Sequence, residues 1–132
     1  MGIQKINLGN NNELIIRTQN ETFSDKYRRN IYCESISEIL LRTSEKLLCI
    51  GLCSSNTYTG LKEFVQYTPQ CILFFGGNSI TKTYYVERIF DIEMMKTLVL
   101  TKEEILEKYN IELSEEIKES IVQKKHLKQK VC

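Results

Sequence analysis

Two nearly all-apolar runs constrain this chain more than any other feature: Leu47-Leu48-Cys49-Ile50-Gly51-Leu52-Cys53 and Cys71-Ile72-Leu73-Phe74-Phe75. Each has the length of a strand and neither alternates, which is the pattern of a strand buried on both faces. Between them the chain turns polar at Ser54-Ser55-Asn56-Thr57-Tyr58-Thr59-Gly60, and Leu61, Phe64 and Val65 then recur at helical spacing before Pro69. Strand, polar loop, short helix and strand predict a β-α-β unit over residues 47–75, because parallel strands need a crossover of about this length.

The flanking segments complete an α+β architecture. Residues 3–8 and 14–18 surround Gly9-Asn10-Asn11-Asn12, whose residue types tolerate positive φ, and predict an N-terminal β-hairpin. Ser35-x-x-Glu38 has the form of a capping box, with Ile36, Ile39, Leu40 and Leu47 near one helical face, and predicts a helix over 35–46; a pair of strands broken at Arg42-Thr43-Ser44 is the competing reading. A second hairpin is expected where Gly76-Gly77-Asn78-Ser79 breaks the apolar run and Thr83-Tyr84-Tyr85-Val86-Glu87-Arg88-Ile89-Phe90 resumes it. Thr101-x-x-Glu104, followed by Ile105, Leu106 and Tyr109, predicts a helix ending near Asn110. Ser114 is read as the cap of a last helix, acidic at Glu115, Glu116 and Glu119 and basic at Lys124, Lys125 and Lys128, as the helix dipole prefers. Its apolar residues are Ile117, Ile121 and Val122. The expectation is one domain over residues 1–132: a mixed sheet body of hairpin, β-α-β unit and second hairpin, with two C-terminal helices.

Charge and cysteine usage narrow the function. Lys and Arg total 18 against 17 for Asp and Glu, so at net charge +1 no whole-molecule field draws in a polyanion, and the basic stretch at 124–130 reads as a solvated helix end rather than a nucleic-acid contact. The longest apolar run is far short of a bilayer span. Residues 1–5 hold no apolar secretory core, which predicts a cytoplasmic protein. Five irregularly spaced cysteines do not form a disulfide framework, and Cys49, Cys53 and Cys71 read as core thiols. Three residues separate Cys49 from Cys53, and the one histidine, His126, lies in the tail, so neither a zinc site nor a cofactor is expected. The absence of Ala beside sixteen Ile suggests an AT-rich genome, that of a low-GC bacterium or its phage.

Residues suited to binding fall in two polar stretches. Ser54, Ser55, Asn56 and Thr57 follow an apolar run at an expected helix start, where backbone N–H groups and hydroxyls can surround a phosphate. Gly76, Gly77 and Asn78 permit the dihedrals of an anion-binding nest, with Lys82 and Arg88 adding charge and Tyr84 a stacking surface. Asp91 and Glu93 are the carboxylate pair from which a small phosphodiesterase would be built, while a His-based nucleophilic site is disfavoured by the place of His126. Tyr27, Arg28 and Arg29 lie in a polar, aromatic stretch suited to a protein contact.

One resemblance draws these residues together. Cys49-Ile50-Gly51, then Ser54-Ser55-Asn56-Thr57, and later Leu100-Thr101-Lys102-Glu103-Glu104-Ile105-Leu106, resemble the small viral ring nucleases that bind and degrade cyclic oligoadenylate signals. The similarity covers about the last two-thirds of the chain. Leu52 stands where that family has a catalytic histidine, so the resemblance implies capture of a nucleotide signal without cleavage, as by a phage anti-defence sponge. The sequence thus predicts a non-enzymatic binder of a cyclic or modified nucleotide that self-associates. A protein-binding inhibitor or adaptor, acting on a host protein through its C-terminal helices and the Tyr27–Arg29 stretch, is the alternative; a small cyclic-nucleotide phosphodiesterase is the third.

Overall fold

The computed structural model of the chain describes residues 2–24 and 31–119. In chain order these form β1 (Gly2–Gly9), β2 (Asn12–Ser24), β3 (Ile31–Arg42), β4 (Leu47–Asn56), β5 (Phe64–Tyr67), β6 (Cys71–Asn78), β7 (Thr83–Asp91), β8 (Lys96–Leu98), α1 (Lys102–Tyr109) and β9 (Ile117–Glu119). Among the described residues the fold is therefore mostly β, with two sheets and one short helix, and the expected α+β body with two C-terminal helices is overturned. The chain divides into two compact units, Met1–Phe64 with Asn78–Thr81, and Val65–Gly77 with Lys82–Cys132.

The first unit is built on an antiparallel meander, β1-β2-β3-β4. Gly9, Asn10 and Asn11 all take positive φ, as the residue types of the expected turn allow, and join β1 to β2. Strands β2 and β3 pair without a break from Glu13 opposite Arg42 to Ser24 opposite Ile31. This pairing replaces the helix expected over 35–46. The two residues of its apparent capping box are engaged across the sheet instead: the Ser35 hydroxyl donates to Asn20 at 2.5 Å, and Glu38 pairs with Arg17 at 2.9 Å. Cross-strand pairing along the whole length of β3, at positions rich in β-branched residues, outweighs a propensity signal confined to a few turns. Strand β4 pairs with β3 through a bulge at Ile50, since Ile39 faces Gly51 while Leu40 faces Cys49.

The expected β-α-β unit is also replaced. After β4 the chain turns at residues 57–60, and Leu61 and Lys62 form isolated bridges to Asn78 and Ser55. Gly60, at φ +83°, makes this turn possible; a Cβ there would lie 2.5 Å from the Asn78 side chain. Phe64 and Val65, read as helical, begin β5.

The second unit carries a sheet in the order β5-β6-β7-β8, with β9 pairing parallel to β7 at Tyr84–Val86 and β8 antiparallel at Ile89–Asp91. Strand β6 fulfils the sequence expectation, with Cys71, Ile72, Leu73, Phe74 and Phe75 all buried. Its hairpin to β7 turns later than expected, beyond Asn78 rather than at Gly76. Helix α1 forms as its sequence predicts. Thr101 accepts from the Glu104 backbone, Glu104 reaches back to the Thr101 N–H, Asn110 closes the other end in the left-handed region, and Ile105 and Tyr109 are buried one turn apart. The second helix does not follow, because Ile117–Glu119 is a strand. Ser114, its expected cap, accepts instead from Glu116 N–H in a turn that leads into β9. The remainder of that helix, His126 and the stretch holding Tyr27, Arg28 and Arg29 lie outside the described residues.

Candidate functional site

The residues singled out for binding divide between the two units. In the first, Ser54, Ser55 and Asn56 belong to β4 and not to a loop. Ser54 N–H donates to the Glu63 carboxylate at 2.9 Å, and Ser55 bridges Lys62. Asn56 Oδ1 accepts from the backbone of Tyr58 and Thr59, and its amide donates to Glu34 at 2.8 Å. Thr57 Oγ1 accepts from Cys33 N–H at 2.8 Å. Asn78 repeats the Asn56 device: Oδ1 accepts from Ile80 and Thr81 N–H, and the amide donates to Thr59 O. These groups hold two turns together. No helix follows Thr57, so the helix-terminus argument for a phosphate has no basis at this place.

In the second unit, Gly76 and Gly77 admit the chain's own groups. A Cβ on Gly76 would meet Glu87 Oε1 at 2.5 Å and Tyr85 OH at 2.9 Å, and one on Gly77 would meet the Thr83 carbonyl and, at 2.5 Å, Tyr84 Cδ1. Lys82 takes φ +56° in the β6–β7 turn and is exposed. The Arg88 guanidinium lies over the Phe74 ring, 4.1 Å from its centroid, and pairs with Glu87 at 3.1 Å. The ring and the carboxylate fix the cation, and the carboxylate neutralises much of its field.

Asp91 and Glu93 do not act as a pair. Asp91 is buried and its two oxygens are engaged, Oδ1 by Met94 N–H at 2.8 Å and Oδ2 by the Tyr109 hydroxyl at 2.5 Å, whereas Glu93 is exposed. Burial, and then the neighbouring Asp91, hold the Tyr109 phenol protonated well above its ordinary range. Cys71, also buried, is raised by desolvation in the same way. Cys53 and Cys71 are core thiols as expected, but Cys49 is exposed, as is Cys33. Among the described residues no three His, Cys, Asp or Glu side chains gather to hold a metal, and no helix is long and apolar enough to cross a membrane. An open depression of about 560 Å³, lined by residues that include Asn7, Asn10, Asn11 and Arg42, lies beside the β1–β2 turn.

The surface that sequence reasoning missed is one face of the meander. Residues opposite each other in an antiparallel ladder share a face, and residues along a strand alternate. Leu14, Ile39, Leu41 and Cys53 share one face, here the inner, on which all four are buried, and near the turns Ile15 and Leu40 on the other face are buried as well. On the other, Ile3, Arg17, Glu38 and Leu52 stand in one row across the four strands, with Ile36 in the next. Ile3 is 58 % exposed, Leu52 54 % and Ile36 53 %, and Cys49 on the same face is exposed too. Farther along, Phe23 stacks on Tyr32 at 5.4 Å and Tyr32 meets Tyr58 at 5.3 Å. The signal was present in β4, whose run lacks the polar alternation of a one-sided strand. Yet alternate members of that run remain outside the core. No known protein family, curated relative or solved structure matches the chain.

Proposed function

We propose that this is a non-enzymatic binding protein whose working surface is the outer face of the β1–β4 meander, and that it acts by contact with protein. The observation that carries this reading is the row Ile3, Arg17, Glu38 and Leu52, joined by Ile36. Large aliphatic side chains grouped on an exposed sheet face around an ion pair have the composition of an interface rather than of a solvated surface. The buried carboxylate supports the non-catalytic part, because Asp91 is occupied in anchoring Tyr109 and the turn at Met94. A photo-crosslinking amino acid at position 52 tests the reading in the protein's own host. Covalent adducts from position 52, in excess of those from Gln4, an exposed residue of the opposite face, are expected; equal yields at the two positions would refute it.

Arg88 favours a second reading, capture of a nucleotide-derived signal. Phe74 pre-orients its guanidinium, 28 % of the side chain stays exposed, and Tyr84 lies on the same face of the strand. A phosphate would have to compete with Glu87 for this cation. A melting scan against cyclic di- and trinucleotides and cyclic ADP-ribose isomers tests it. A rise in Tm that Arg88→Ala abolishes supports this reading, and no shift with any of them removes it.

A further inference from the structure

We infer that the occupant of the outer face is a second copy of this chain, packed face to face about a twofold axis that passes between β2 and β3, perpendicular to the row and along the strands. The inference rests on the reading of that face as a protein-contact surface and names its partner.

The row across the sheet is apolar, positive, negative, apolar: Ile3, Arg17, Glu38, Leu52. Rotation about such an axis reverses the row, so Ile3 meets Leu52 of the other copy and Arg17 meets its Glu38. Nearer the turns, Glu13 on β2 stands opposite Arg42 on β3. The same rotation brings Glu13 onto Arg42 of the other copy, again joining unlike charges. Between these charged rows the same face carries Ile15 and Leu40, both already buried within the chain. A twofold contact must be self-complementary, and both charged rows satisfy that requirement with one axis. The Arg17–Glu38 pair is 2.9 Å long with side chains 45 % and 43 % exposed, so the charges are available to a neighbour.

The face also sets its own limit. In the direction of the aromatic cluster, Glu21 stands opposite Glu34, and the rotation would bring like charges together there. Contact therefore ends before that row, as two twisted sheets splay away from their line of closest approach. Four strands roughly 4.8 Å apart, over residues 13–19 at roughly 3.4 Å each, bound a patch of at most roughly 14 by 20 Å, to which Ile15 and Leu40 add little further burial. That is small beside the ~800 Å² per partner of a standard interface, so the dimer is expected to be reversible and in the micromolar range.

Sedimentation velocity on the full chain from about 1 to 500 μM, with Arg17→Glu, Glu38→Arg and their equimolar mixture, tests this. The wild type should dimerise with rising concentration. Each variant alone faces like charges across the axis and should associate about tenfold more weakly. The mixture should recover wild-type association. In it, the carboxylate introduced at position 17 of one chain faces the guanidinium introduced at position 38 of the other, and the unchanged Glu38 of the first faces the unchanged Arg17 of the second. Within each variant chain the local pair remains like-charged, so recovery on mixing reports contact between chains and not repair of a fold. Leu52→Lys, at an exposed edge-strand position, should also abolish the dimer without lowering Tm. A wild type that stays monomeric throughout, or a mixture no more associated than its components, would overturn the inference. If crosslinks from position 52 then join a different protein, the protein-contact reading stands and only the partner is wrong; if none form, both fail.

Discussion

The Tyr109 hydroxyl donates to Asp91 inside the second unit and fastens the last turn of α1 to the end of β7. Tyr109→Phe leaves a buried carboxylate oxygen without its donor and should cost about 1–3 kcal/mol at neutral pH, measured by denaturant unfolding. The phenol is raised above its ordinary 10.0, so an unfolded Tyr109 ionises while the folded one keeps its proton. Its contribution is therefore complete below about pH 10 and falls as the pH climbs past that value. Cys71, raised above 9.0, acts in the same direction from about pH 9 upward. Tyr109→Phe should lose the part of the alkaline decline that begins near pH 10.0; an unchanged alkaline limb would contradict this assignment. None of this was legible in the sequence, which offered Asp91 as a partner of Glu93, because only the fold brings residue 109 back to residue 91. Gly76 and Gly77 were legible as places where something approaches the backbone closely, and what approaches is Thr83, Tyr84, Tyr85 and Glu87.

At the scale of elements, legibility followed how local each signal is. The β1–β2 turn and α1 depend on residues a few positions apart, on Gly9, Asn10 and Asn11 in the left-handed region and on the reciprocal Thr101 and Glu104 bonds, and both were predicted. Strand β3 depends on β2, a non-local partner, and the apparent cap at Ser35 and Glu38 was misleading because hydroxyls and carboxylates serve cross-strand pairs equally well. The last helix failed for the same reason: the Ser114 signature closes a turn, and Ile117–Glu119 gains a parallel partner in β7. A crossover helix at Leu61, Phe64 and Val65 was undone by Gly60 and by the two asparagines that brace the turns around it. Periodicity over so few residues cannot separate a helix from a strand.

For the molecule as a whole, the two apolar runs mark the difference between what the sequence showed and what it concealed. Each run predicts a strand buried on two faces, and both are strands. In β6 the apolar run is wholly buried, whereas in β4 Leu47, Cys49 and Leu52 stay exposed. An apolar run states that both faces require cover without stating whether the chain itself supplies it. The outer face of the meander is therefore where cover from another molecule is expected, and Cys49 is placed on it by its register with Leu40. Cys33 is exposed on the opposite face and serves as the internal reference. The most direct measurement is thiol labelling in intact cells, with each cysteine followed by its own peptide. A covered outer face predicts Cys49 labelling about fivefold slower than Cys33 in cells, and at a similar rate once the purified protein is diluted below about 1 μM. Equal labelling of the two thiols in cells would contradict it.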